Sequence, residues 1–441
     1  MFRLPIGCLV LVVGACSTTT ISGSTTASVA GSATGASVTG GSVTGGSASG
    51  GSATGGSATG GSATGGSTSG GSASGSSGGT AGCQTPLVLS GYLLTVDAGE
   101  PLFPAYDLRA GDINRDGISD LVELNVPNAG GGPTLGWSFG LSDGGFADFQ
   151  YLDLSGITGN FSSNTRIVVA DFNNDGFADA ILTYANGEQQ LRAELFGGSA
   201  SGLADTGPIW NSSSDMPTIS GVGVGDVNGD GWQDLVVGGV EISVVLNLTD
   251  GGFLQVAAIA NPPPGFPDVR FAIVDLNGDG LPDILVPGNP IVGGWSTQVT
   301  YQQSDGGFSD WIALAGDPGS ASVATYGSAA VVSAPAQIGL VAATSDGGLC
   351  GDLSPAITPS PGFVQSAAID LNHDAQLDVV SLGTSSLVSF LATPTGWDPV
   401  SPVALPAQGE ALNLVVLIDG RIAVTDPADE RILIFDNGCG E

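Results

Sequence analysis

The 441-residue chain contains no lysine and only one histidine, His373. Lysine forms Schiff bases and histidine is the commonest general base near neutral pH, so Schiff-base nucleophiles and the commonest general base are nearly absent, while carboxylates remain. Positive charge is scarce as well: eight arginines oppose 42 acidic residues, for a formal charge of −34 at pH 7. A surface of that sign repels nucleic-acid phosphates and anionic headgroups and attracts divalent cations. No charged or aromatic residue occurs between 17 and 82.

The N-terminus reads as a targeting segment. Arg3 precedes a short apolar run over residues 4–13, too short for a stable bilayer span. The sequence Val13-Gly14-Ala15-Cys16 that follows resembles the bacterial lipobox. The resemblance implies a lipoprotein signal peptide over residues 1–15, cleavage before Cys16 and acylation of Cys16. Export follows, with lipid anchoring to a bacterial membrane, the outer membrane or cell surface, as the only membrane contact. Residues 16–82 form a linker of Gly, Ser, Thr and Ala, in part a pentad such as Gly50-Gly51-Ser52-Ala53-Thr54. It has too little apolar surface to offset chain entropy and is expected to stay disordered, a tether with a root-mean-square reach of roughly 40–50 Å.

Residues 83–441 carry seven arginines against all 42 acids, a net −35. Here an Asp-x-Asn-x-Asp-Gly-x-x-Asp motif occurs at 112–120, 171–179, 226–234 and 275–283, with a fifth copy at 370–378 that has Ala375 in place of Gly. Short Val/Ile-rich runs flank each copy and read as buried strands. A second repeat, a Gly turn followed by a large apolar residue, recurs at Gly145, Gly202, Gly252, Gly307, Gly348, Gly396 and Gly438. Its intervals are 57, 50, 55, 41, 48 and 42 residues, and the two shortest mark the units without the Asp-rich motif. Seven units of about four short strands each predict an all-β fold, a seven-bladed β-propeller over 83–441. The last unit ends after its third strand, so a segment running from Pro86 to Leu94 is expected to supply the fourth and close the ring. A β-solenoid would share the spacing but would not need that exchange.

Each motif has the chemistry of a hard-ion loop, because calcium takes six to eight oxygens and alternate residues of a tight loop converge on one point. The expected side-chain ligands at positions 1, 3, 5 and 9 are Asp112, Asn114, Asp116 and Asp120 in the first copy and Asp171, Asn173, Asp175 and Asp179 in the second. They are Asp226, Asn228, Asp230 and Asp234 in the third, Asp275, Asn277, Asp279 and Asp283 in the fourth, and Asp370, Asn372, Asp374 and Asp378 in the fifth. Position 7 varies (Ile118, Phe177, Trp232, Leu281, Gln376), as expected if it offers only its backbone carbonyl. The glutamate that an EF-hand needs at position 12 occurs once, as Glu123, in a strand-like run. About five structural Ca²⁺ ions are therefore expected.

The loops resemble those of FG-GAP or VCBS-type repeats, the kind found in integrin α-subunit propellers, although the Phe-Gly and Gly-Ala-Pro signatures are not evident. Strand parity puts the Asp-rich loops and the Asp-Gly-Gly turns on one face of such a propeller, and longer, dissimilar loops on the other. Phe103, Tyr106, Phe161, Trp210 and Phe266 lie in those longer loops and are candidate ligand contacts, whereas Trp137 alternates along a strand and reads as core. A disulfide between Cys83 and Cys439 would fasten the closure, leaving Cys350 over. The expected function is a recognition or adhesion module for a protein partner, with no catalytic residues and no nucleic acid. A lectin-like glycan binder and, less favoured, a polysaccharide-active enzyme are the alternatives.

Overall fold

A computed structural model describes the strands and most of the turns between residues 87 and 437; the stretches outside it include 1–86, 102–106, 162–164, 213–220, 261–268, 287–296, 355–364, 406–412 and 438–441. The described residues are β-structure and turns.

They form seven sheets built on four-strand meanders, plus one two-stranded ribbon. Blade one comprises Asp107–Gly111, Asp120–Asn125, Thr134–Ser138 and Gln150–Asp153. Blade two comprises Arg166–Ala170, Asp179–Asn186, Leu191–Gly197 and Ala204–Asn211. Blades three to six begin at Gly221–Gly225, Ala272–Val274, Ser322–Tyr326 and Gln365–Ile369. Six blades are thus contiguous in sequence. The seventh is composite: Leu414–Val416, Ile422–Asp426 and Arg431–Asn437 are completed by Leu87–Leu94, which pairs antiparallel with Arg431–Asn437. The expected strand exchange is therefore observed. It converts an open edge into a paired one.

The first strands touch in a closed circuit, from blade one through blade seven and back to Asp107–Gly111. This is a β-propeller, and the reason it closes lies in the second strands. They are buried on both faces, so they read as unbroken apolar runs such as Asp234–Gly238. Period-two alternation then sends neighbouring side chains into different cores. Leu235 and Val237 pack with blade two, while Val236 packs with Phe271, Ile284 and Val286 of blade four. Val331 packs with blade six, and Ala330 and Val332 pack with blade four. One apolar cluster fills each of the seven blade interfaces.

Trp137 is core, as expected, at 6% exposure. Trp210 is not the exposed loop residue that the sequence suggests. It lies in the outer strand Ala204–Asn211, is 7% exposed and packs with Val168, Ile181, Leu191 and Ala193. The misleading signal was Pro208 and the Asn-Ser-Ser run after it, which look like a loop. In fact Gly207 has a left-handed backbone and the strand absorbs the irregularity as bulges. Phe161 is half-buried and stacks on Tyr184, with centroids 5.2 Å apart. Phe103, Tyr106, Phe266, Cys16, Cys83 and Cys439 lie outside the described residues, and Cys350 lies in the outer strand Leu349–Ser354 of blade five. Truncating the Trp210 indole should leave a large cavity: Trp210→Ala is expected to cost about 3–5 kcal/mol, read as a lowered midpoint in equilibrium denaturation.

Candidate metal centre

The five Asp-rich loops join the first and second strands of blades one, two, three, four and six. In the two remaining blades only two residues (327–328) and five residues (417–421) separate the first and second strands, as short as the repeat spacing predicted. In each loop the residue at position 2 is a buried apolar anchor: Ile113, Phe172, Val227, Leu276 and Leu371 are all at most 2% exposed. The pattern is visible in the sequence once the motif is aligned, but the ligand spacing draws attention away from it.

The loop backbone is organised by its own carboxylates. In blade one, Asp112 accepts hydrogen bonds from the N–H groups of Asp116 (3.0 Å) and Gly117 (2.8 Å), and Asn114 Oδ1 shares the Asp116 N–H at 3.0 Å. Asp116 in turn accepts from Ile118 N at 2.9 Å, and Asn114 Nδ2 lies 3.0 Å from the other Asp116 oxygen. Asp226 and Asp275 repeat the pattern toward Asp230 and Gly231, and Asp279 and Gly280. Position 6 has the expected left-handed backbone, with φ of 84°, 89°, 87° and 87° at Gly117, Gly176, Gly231 and Gly280. Position 4 is left-handed as well, at Arg115, Asn174, Gly229 and Gly278. His373 and Ala375, positions 4 and 6 of the fifth loop, lie outside the described residues.

The oxygens at positions 1 and 3 converge because both accept from one N–H group, and position 5 is held beside them. The donor set is oxygen only, the type a hard cation such as calcium prefers. Among the described residues, however, no group of three or more His, Cys, Asp or Glu side chains is drawn together as a metal cluster. The carboxylates at positions 1 and 5 are turned onto loop N–H groups, each oxygen keeping lone-pair capacity.

Position 9 is different. Asp120, Asp179, Asp234, Asp283 and Asp378 are fully buried. One oxygen of each accepts from the N–H of position 2 in its own loop, at 2.8–3.0 Å. The other accepts from the end of the third strand, at Gly140, Gly198, Asn247, Gln302 and Ala392 respectively. The bond ties the Asp-rich loop to the turn between strands three and four, and so places both on one face. Burial pushes each of these carboxyls up to about 6, against the opposing pull of the two N–H donors. Glu123 is no loop ligand: it lies within Asp120–Asn125, is fully buried, and accepts from Asn125 Nδ2 at 2.9 Å. Burial pushes it up to about 7.

Residues 226–286 match the family model for an FG-GAP-like repeat, a segment that runs from position 1 of the third loop to the end of the second strand of blade four. The chain is a β-propeller carrying an FG-GAP-like repeat. No curated protein matches the sequence. Among solved structures, the propeller is similar to a streptogramin B lyase, with TM-score 0.50 and 10% identity over 79% of this chain and 97% of that one. It also aligns with a catalytically inactive virginiamycin B lyase from Staphylococcus aureus with quinupristin, at TM-score 0.49 and 11% identity over 79% and 99% of the two chains. At such identity the likeness is one of fold alone.

Two outcomes follow for the propeller. Asp234→Ala should strand the buried N–H groups of Val227 and Asn247, costing roughly 2–4 kcal/mol in denaturant unfolding. Glu123 has a folded value above its ordinary 4.5, so its proton favours the fold. That contribution is complete below about pH 4.5 and is lost as pH rises through about 7. Glu123→Gln should therefore be more stable than the parent at pH 8, by an amount on the order of 3 kcal/mol, and should match it at pH 4.

Proposed function

We propose that this propeller is a calcium-stiffened recognition or adhesion module for a protein partner, exported and tethered by an acylated Cys16, with no chemistry of its own. The observation that supports it is the set of five oxygen-donor loops held on a common face by buried Asp clamps. The positions 1, 3 and 5 side chains, the carbonyl of position 7 and the clamp Asp of each loop would hold one Ca²⁺. A bound ion would supply the positive charge that lets the loop carboxylates lie together, and so stiffen the hairpin between the first two strands. The module reading also fits the FG-GAP-like repeat.

The loops on the Asp-rich face are near copies of one another and offer little to distinguish partners. Loops on the opposite face differ in length and content, which specific recognition needs. Phe103, Tyr106 and Phe266 are carried on that side of the sequence pattern and are the candidate contacts; Phe161 and Trp210 serve packing instead.

Metal analysis of protein stripped and reloaded with calcium should approach five ions per chain, and chelation should lower the melting temperature, since an ion bound only to the folded state stabilises it by mass action. A count of zero or one overturns the calcium reading. Saturable binding on a glycan array would replace the protein partner with a glycan.

A further inference from the structure

The calcium loops of blades one, two and three are joined to one another by side chains at position 4. Arg115 and Asn174 occupy that position in the first two loops, with φ of 60° and 55°. They are the non-glycine residues with positive φ among the described residues. A left-handed backbone disfavours most side chains, asparagine less than others, and loops three and four have Gly229 and Gly278 there, so the two side chains, Arg115 above all, call for another explanation. Each reaches the next loop. Arg115 Nη1 donates to the carbonyl of Asp175 at 2.8 Å, and its guanidinium lies 5.9 Å from the centroid of Phe177. It also covers the Gly176 turn, where an added Cβ would meet it at 2.7 Å. Asn174 Nδ2 donates to the carbonyl of Gly231 in loop three at 3.3 Å.

In each case the donor sits between two ligand positions of its own loop and grips the segment between positions 5 and 7 of the next. Arg115 lies between Asn114 and Asp116, and Asn174 between Asn173 and Asp175. An ion that orders loop one therefore fixes Arg115 on loop two, and one that orders loop two fixes Asn174 on loop three. Each ordering cost met in one loop is not met again in its neighbour. We propose that loops one to three bind calcium as a positively coupled series, whereas loop four, whose neighbour has only Gly229 at position 4, binds independently of loop three. This rests on the calcium reading above.

The protein contains its own reporter. Trp232 stands at position 7 of loop three, where its indole can sensitise luminescence of terbium(III), an oxygen-seeking ion that substitutes for calcium. The component lost in Trp232→Phe is the loop-three signal. Calcium competition against it in the processed full chain gives the loop-three affinity. Asp171→Ala, which removes a ligand from loop two, should weaken that affinity about fivefold or more. Asn174→Ala, an exposed change that cuts the link and keeps both ligand sets, should produce a similar loss. Adding Asp171→Ala to Asn174→Ala should then change nothing further. Asp275→Ala, the same charge change in loop four, should leave loop three within about twofold. An unchanged affinity in Asn174→Ala, or an equal loss from Asp275→Ala, overturns the coupling while leaving five calcium sites standing. Absence of both sensitised emission and bound metal overturns the calcium reading itself. Because Asn174→Ala touches no ligand, unfolding of Asp171→Ala would not remove the test.

Discussion

Within each loop-bearing blade, one buried carboxylate must satisfy two backbone N–H groups that belong to different connections. The clamp Asp receives position 2 of its own loop on one oxygen and the end of the third strand on the other. Buried N–H groups are costly to leave unpaired, and neither strand ladder can reach these. A side chain with two equivalent acceptors at the first residue of the second strand answers both needs. Because that residue also begins an apolar run buried on both faces, the clamp couples the polar face to the interblade cores directly.

Blade seven, which has no such loop, meets the same constraint differently. In blade seven a tight turn bonds Gly420 N to Leu417 O, and the adjoining Ile418 N–H donates to Ser119 Oγ of blade one at 2.6 Å. Arg421 reaches the Gly144 carbonyl and lies over Phe146. A blade that lacks its own clamp thus borrows partners from its neighbour at the point where the ring closes. On the other side of the ring, Asp107 accepts from Ile167 N of blade two at 3.0 Å, and Gln365 brackets the backbone of Leu414 in blade seven. Side-chain amides and carboxylates do there what cross-blade strand pairing cannot.

Charge organisation follows from this architecture. The loops crowd carboxylates onto one face, and the side-chain links on that face run from loop to loop. The likeness to the streptogramin B lyase, at 10% identity, is one of scaffold, and a scaffold does not fix the sites built on it.

The sequence by itself determined the repeat count, the strand exchange at the last blade, the left-handed glycine at position 6 and the oxygen-only donor set. Each follows from local chemistry repeated at a fixed spacing. It did not reveal that position 9 is a buried clamp, because an Asp in a ligand pattern reads the same whether its oxygens face an ion or an N–H group. The second donor comes from the end of the third strand, 20 residues away in blade one and 13 in blade three, so no local pattern encodes it. Nor did the sequence show that Trp210 is core: a strand interrupted by Gly207 and Pro208 loses its alternation, and only pairing with Leu191–Gly197 restores the side of the sheet on which the indole falls. The link from Arg115 to loop two was also illegible, because it joins residues 60 apart whose nearness exists only once blades one and two have packed.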